Sequence, residues 1–255
     1  MENFSINSAT NIVISLFDFT GEMVRPWAQN GFECFCYDIQ HDPNKAIVER
    51  FTGGGSITFV YADLDKPAAM PVIARQFADH AVNMVFSFFP CDDLAVSGAA
   101  HFERKRAVDP LFQRKAAKRG KDSVLLANLL RAPFMLENPV SVFSTLYRKP
   151  DHTFHPFEFG GYIAANNVKH PTWPEYIPDG DAYSKKTCLW TGGGFNMPEK
   201  KPVECESFGA SKQHRKLGGK SKKTKNIRSA TPRGFAAAVY NANYFSSALR
   251  IVLKK

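Results

Sequence analysis

A doubly wound α/β fold is the expectation for this chain, and three observations predict it. Five short apolar runs rich in β-branched or aromatic residues punctuate roughly the first 140 residues. Longer segments of helical character separate them, an order that builds a parallel sheet with helices on both faces. The length of 255 residues suffices for one large core with an inserted or appended lobe.

The strand candidates, in order, are NIVISLF (11–17), ECFCYD (33–38), SITFVYAD (56–63), VNMVFSFF (82–89) and PFMLEN (133–138). Crossover helices are expected over Glu22–Asn30, Pro67–His80 and Val108–Leu130. The pattern fails after about residue 140. Residues 150–225 are rich in Pro, Gly, aromatics and charge, with TCLW (187–190) as the clear strand, so a small irregular lobe is expected there. Thr231 and Pro232 then place a cap residue and a helix-starting proline before the alanine-rich run RGFAAAVYNANYFSSALRIVL. The expected division is therefore a catalytic and cofactor-binding α/β domain over 1–149, an irregular lobe with a basic loop over 150–228, and a C-terminal helix over 229–255 returning to the first domain.

Apolar residues make up 44% of the chain, yet no run is long enough to cross a bilayer. The opening MENFSINSATN lacks the basic start and apolar centre of a secretory signal, so a cytoplasmic protein is expected. Five cysteines without framework spacing suit a reducing compartment. Cys34 and Cys36 alternate along a strand and read as structural. No metal is expected, because no set of ligands at suitable spacing accompanies them.

The net charge of +9 favours a polyanionic partner. Lys212, Arg215, Lys216, Lys220, Lys222, Lys223 and Lys225 lie among Gly and Ser, a segment that reads as a basic loop able to contact nucleic-acid phosphates. A second basic cluster, from Arg104 to Lys121, follows the fourth strand.

Three strand ends carry candidate chemistry. In FDFTGEMVRPW (17–27) a strand, a tight turn at Gly21 and a helix form the kind of site where a doubly wound sheet holds a nucleotide-like cofactor. Asp38 and Asp63 end the next two strands on the same rim, where they can accept hydrogen bonds from ribose hydroxyls or an amino group. The fourth strand delivers Pro90-Cys91 and the fifth Glu137-Asn138-Pro139. A thiolate can add to an electron-poor ring carbon when a neighbouring carboxyl offsets the charge developing on the ring.

At these residues the chain resembles the DNA (cytosine-5) methyltransferases, and more closely a compact branch often encoded by bacteriophages. Phe19-Thr20-Gly21 is similar to the family's cofactor turn, Pro90-Cys91 with Ser97-Gly98 to its nucleophile loop, and Glu137-Asn138-Pro139 to its Glu-Asn element. HPFEFG (155–160), KKTCLW (185–190) and SATPRGFAAAVYNAN (229–243) resemble the C-terminal part of the compact branch. The resemblance implies a Rossmann-like methyltransferase sheet, S-adenosylmethionine as cofactor and DNA as partner. It implies attack of Cys91 on cytosine carbon 6, with Glu137 at ring nitrogen 3 and a methyl group arriving at carbon 5. Phe19 would pack on the adenine, Asp38 bind the ribose, Asp63 bind the adenine amino group, Thr20 and Gly21 form the turn, and Asn138 shape the glutamate loop. The target base would be flipped out or already single-stranded.

The departures are specific. Glu22 and Met23 follow Gly21 where a second glycine is expected, and Asp92-Asp93-Leu94 follow Cys91 where the family has a glutamine. Two carboxylates beside a thiol oppose thiolate formation unless a cation compensates. No Gln-x-Arg-x-Arg element is present; Arg148 or Lys186 are the candidates for its place. Two alternatives therefore stay open: the same covalent chemistry on a free cytosine nucleotide or with another one-carbon group, and a catalytically silent protein that binds nucleic acid or a partner.

Overall fold

The computed structural model describes residues 11–205, 217 and 221–253. Eight strands form one sheet: β1 (Ile12–Leu16), β2 (Glu33–Asp38), β3 (Ile47–Arg50), β4 (Ser56–Tyr61), β5 (Val82–Ser87), β6 (Phe134–Pro139), β7 (His152–Phe154) and β8 (Thr187–Gly192). Their spatial order is β3-β4-β2-β1-β5-β6-β8-β7. Strands β4, β2, β1, β5 and β6 run parallel, whereas β3 and β8 pair antiparallel with β4 and β6. Every residue of β1 and β5 is buried, as befits the centre of a sheet covered on both faces. The predicted doubly wound α/β class is what the chain adopts. The strand order reverses between β1 and β5, and a crevice beyond the carboxyl ends of such a pair is where open sheets of this kind bind ligands.

All five strands expected in the first half form, with ends that differ from the expected ones by at most two residues. Two strands were not expected. β3 has the sequence IVER and is nearly all exposed, an edge strand whose two apolar residues give no alternating pattern. β7 is only three residues long. Helix α1 spans Arg25–Gln29 and α2 Ala69–Gln76, both shorter than expected. The helix expected over 108–130 forms as α4 (Phe112–Leu129), and a helix that was not expected, α3 (Phe102–Val108), precedes it. Pro110 explains the break between them, since it disfavours helical geometry in Asp109, whose φ and ψ are extended at −140° and 100°.

The described residues fall into two compact units, 11–21 with 27–153 and 187–195, and 22–26 with 154–186 and 196 onward. In the first, the aliphatic faces of β1, β5 and β6 pack with α2, α4 and the short helix α5 (Phe143–Leu146). Gly120 lets α4 lie close to Phe143 and Phe89; a Cβ there would stand 2.7 Å from the Phe143 ring. In the second unit, Phe154 stacks on Phe235 at 3.9 Å and Phe159 meets the same ring edge-on. Phe235 belongs to the helix Arg233–Leu253, which starts directly after Pro232 as its sequence predicts. Asp181 accepts from the Gly234 amide at 2.8 Å at that helix's N-terminus.

The basic segment contains a helix where a loop was expected, over Lys222–Ser229. Ser221 caps it by accepting from the Thr224 amide, and Thr224 and Ile227 are buried. Two inward side chains one turn apart are enough to seat a helix that is otherwise polar.

Candidate active site at the switch point

The turn after β1 is organised by a residue that the sequence pattern does not single out. Asp18 is buried and its carboxylate reaches back into the turn. Oδ1 accepts from the amides of Gly21 at 2.8 Å and Thr20 at 3.1 Å, and Oδ2 accepts from Ser15 Oγ at 2.7 Å. The only sequence sign of this role was an aspartate two residues before Thr-Gly, the spacing of an Asx turn. Gly21 has φ of +68°, and a Cβ would stand 3.0 Å from the Phe59 ring, so backbone and packing both require glycine. Phe19 remains 38% exposed and stacks on His41, with ring centroids 5.6 Å apart. His41 Nε2 lies 3.2 Å from the Asp18 carbonyl, and burial holds its pKa below the usual histidine value.

Asp38 and Asp63 stand at the ends of β2 and beyond β4 on this same rim. Asp38 is largely buried, which raises its pKa despite a hydrogen bond from the Gln40 amide to Oδ1 at 2.8 Å. The nearby Asp18 charge pushes in the same direction. Asp63 accepts from the Asp65 amide at 3.2 Å and lines a cleft of about 300 Å³ with Asp42, Lys45, Tyr61, Lys66 and Val72. That cleft lies along the outer part of the rim and does not include Cys91 or Glu137.

Pro90 and Cys91 follow β5, and Glu137, Asn138 and Pro139 end β6. Because β5 and β6 pair in parallel, with Ser87 opposite Leu136, both segments emerge at the same edge. Asn138 joins them. Its side chain is buried, and Nδ2 donates to the Phe89 carbonyl at 2.9 Å, two residues before Cys91. Downstream, Val96 N donates to Val140 O at 3.1 Å, Val142 N donates to Leu94 O at 3.0 Å, and Ala95 bridges Ser141. The Cys91 carbonyl accepts from the amides of Leu94 and Ala95, both at 2.9 Å, closing the loop into a turn. Cys91 is partly exposed, whereas Cys34, Cys36 and Cys188 are buried. Burial holds the Cys34 thiol well above its ordinary pKa, in keeping with a structural cysteine.

The acidic pair after Cys91 does not stand alone. Lys105, from α3, donates to Asp93 Oδ1 at 2.5 Å and to the Asp92 carbonyl at 3.0 Å. Arg119, from α4, forms a two-pronged pair with Asp65 at 2.6 and 2.8 Å, and its pKa is raised first by that pair and further by Asp93 and Asp92. The compensating cation that the sequence could not supply is therefore present, twelve residues along the chain.

Of the remaining candidates, Arg148 pairs with Asp151 at 2.6 Å and donates to the Thr191 carbonyl at 2.9 Å, a structural role at the β8 side of the sheet. Lys222, Lys223 and Lys225 are exposed on their helix, with Lys223 Nζ 5.6 Å from the centre of the Tyr176 ring. Lys212, Arg215, Lys216 and Lys220 lie outside the described residues. Trp173 and Tyr176 pack against a small core of Ile177, Tyr183, Leu217, Ile227 and Ala230. Among the described residues there is no cluster of three or more metal-ligating side chains, and no helix is long and apolar enough to cross a membrane.

No protein-family model matches this sequence, and no curated protein matches it. Among solved structures, the chain is similar to a prophage-encoded E. coli protein assigned as a DNA modification methyltransferase. The identity is 15% and the TM-score 0.41, over 72% of this chain and 46% of that one. The matched part is thus less than half of that protein's length.

Proposed function

We propose that this chain transfers a methyl group from S-adenosylmethionine to carbon 5 of cytosine in DNA, through a covalent adduct at Cys91 assisted by Glu137. The observation that carries the reading is the Asn138 hydrogen bond to the Phe89 carbonyl, which ties a glutamate-bearing strand end to a cysteine-bearing loop at the sheet's switch point. Pro90 stiffens the approach to the cysteine, and the Ala95–Ser141 bridge holds the far side of the loop.

In this reading Cys91 Sγ bonds to carbon 6 of a flipped or unpaired cytosine, and the electron pair displaced toward nitrogen 3 is met there by a proton from the Glu137 carboxyl. The cofactor supplies an electrophilic methyl group to the carbon 5 so activated. Loss of the carbon 5 proton to a base then re-forms the ring double bond and expels the thiolate, and nitrogen 3 returns its proton to the Glu137 carboxylate. Lys105 favours the first step by offsetting Asp93, and this supports the enzymatic reading over the silent one.

The rim fits a cationic nucleoside better than a phosphorylated one. The Thr20 and Gly21 amides, which a phosphate would need, already donate to Asp18, and two acidic side chains stand close together there. Phe19 offers an exposed aromatic face for the adenine, and the Asp38 carboxylate at the end of β2, which the Gln40 amide orients through Oδ1, is placed to accept from a ribose hydroxyl. Asp63 and its cleft suit the adenine amino group.

The test is intact-protein mass spectrometry after incubation with DNA containing 5-fluorocytosine, with and without S-adenosylmethionine, for the wild type and Cys91→Ala. Fluorine cannot leave as a proton does, so a methyl-bearing covalent complex that needs both the cofactor and Cys91 is the expected result. Adducts with a free cytosine nucleotide but never with DNA would replace the substrate. No adduct with either would end the covalent mechanism.

A further inference from the structure

The second basic cluster holds eight cations between Arg104 and Lys121, and the structure sorts them into two groups. Lys105, Lys115, Lys118 and Arg119 pair with Asp93, Asp109, Asp122 and Asp65. Arg104, Arg106, Arg114 and Lys121 are exposed and have no carboxylate partner among the described residues. Arg114, Lys118 and Lys121 recur at i, i+4 and i+7, a single outer stripe of α4 opposite the buried Ala116, Ala117 and Gly120. At the corner where α3 ends and α4 begins, Val108 is 85% and Leu111 50% exposed.

Topology fixes where this surface lies. The chain leaves β5 at the carboxyl rim, so the α3–α4 corner and the first turns of α4 stand at that rim, beside the Cys91 loop. The Arg119–Asp65 pair agrees, because Asp65 follows β4 on the same rim. The corner is also stiff: Lys115 bridges to Asp109 at 2.7 Å, the Leu111 amide donates to Asp109 Oδ1 at 3.0 Å, and Phe102 meets Phe112 edge-on. The exposed Leu125 and Leu129 lie on the same stripe toward the opposite end of α4, away from the rim.

We infer that the α3–α4 corner is a DNA-docking edge, in which Arg104, Arg106, Arg114 and Lys121 contact backbone phosphates and Val108 and Leu111 press on the sugars or bases between them. The inference rests on the DNA reading of Cys91 and deepens it. Guanidinium forks match phosphate oxygens, and an apolar tip flanked by cations suits a polymer whose charged backbone encloses apolar rings. An acidic protein surface would match the charges and leave Val108 and Leu111 without a counterpart.

Two pairs of substitutions on one helix separate this role from general charge. Arg114→Gln with Lys121→Gln removes two unpaired cations, and Lys115→Gln with Lys118→Gln removes two that already hold carboxylates. Binding of a fluorescent DNA duplex and of a single strand is followed by anisotropy across a salt series, with thermal unfolding recorded for each variant. The first pair is expected to weaken DNA binding at least tenfold and to flatten the slope of log affinity against log salt by about two. The second pair should change affinity less than about threefold. Val108→Ser with Leu111→Ser should weaken binding without altering the slope. Equal losses from the two lysine and arginine pairs, no loss from either, or binding confined to RNA would each overturn the proposal. A wild type that binds DNA through these residues yet forms no 5-fluorocytosine adduct would instead remove the methylation reading and leave the docking edge standing.

Discussion

In the proposed site Asn138 and Lys105 each act through another group. Asn138→Ala removes a buried hydrogen bond and leaves the Phe89 carbonyl without its donor, a loss of about 1–3 kcal/mol in unfolding free energy. The 5-fluorocytosine adduct should form at least tenfold more slowly in that variant, measured by time-resolved mass spectrometry, even where the protein stays folded. Lys105→Met leaves Asp93 unbalanced two residues along the chain from the thiol. Cys91 alkylation, followed by peptide mass spectrometry over a pH series, should then move to higher pH, and adding Asp93→Asn should reverse the move. An unchanged alkylation profile would reduce Lys105 to a structural tether. The strand-end placement of Cys91, Glu137 and Asn138 was legible in the sequence, because each follows or ends an apolar run. The Lys105–Asp93 and Arg119–Asp65 pairs were not, since sequence spacing reveals ion pairs only three or four residues apart on a helix, as in Lys118–Asp122.

Elements with a strong hydrophobic rhythm were readable and those without it were not. The five parallel strands are buried on both faces and so appear as continuous apolar runs. β3 is exposed, β7 has three residues, and α3 carries one buried Phe among charges, so none leaves a periodic trace. Gly120 sets how closely α4 approaches the Phe143 and Phe89 rings. Gly120→Ala forces the Phe143 and Phe89 rings to shift against a tight core, and a loss of about 1–3 kcal/mol is expected in urea unfolding. The turn at Gly21 behaves alike: Gly21→Ala adds a left-handed backbone penalty to a contact 3.0 Å from the Phe59 ring, for about 1–2 kcal/mol.

The stability of the molecule against pH should be shaped by two buried groups with opposing slopes. Burial raises Asp181 to about 6, above the ordinary carboxyl value of 3.8. Between those values the native state keeps a proton that the unfolded chain has lost, so this contribution falls as pH rises toward 6. Burial, with Arg233 nearby, lowers His170 to about 4, and its Nδ1 accepts from the amides of Thr172 and Trp173. Here the unfolded chain binds the extra proton, so stability is lost as pH falls from 6.5 toward 4. Each shift corresponds to roughly 3 kcal/mol, and over the shared window the two slopes largely cancel. Asp181→Asn should therefore reveal stability that climbs with pH across that window, and His170→Gln stability that declines, both read from urea midpoints.

Asp18 has a consequence for competition inside a cell. With the Thr20 and Gly21 amides turned inward onto its carboxylate, the turn offers no welcome to the phosphates of the abundant adenine nucleotides. ATP and the nicotinamide dinucleotides share an adenosine with the proposed cofactor and far outnumber it, yet they should leave this crevice to the scarcer molecule. Discrimination would then come from a buried side chain that the preferred guest never touches.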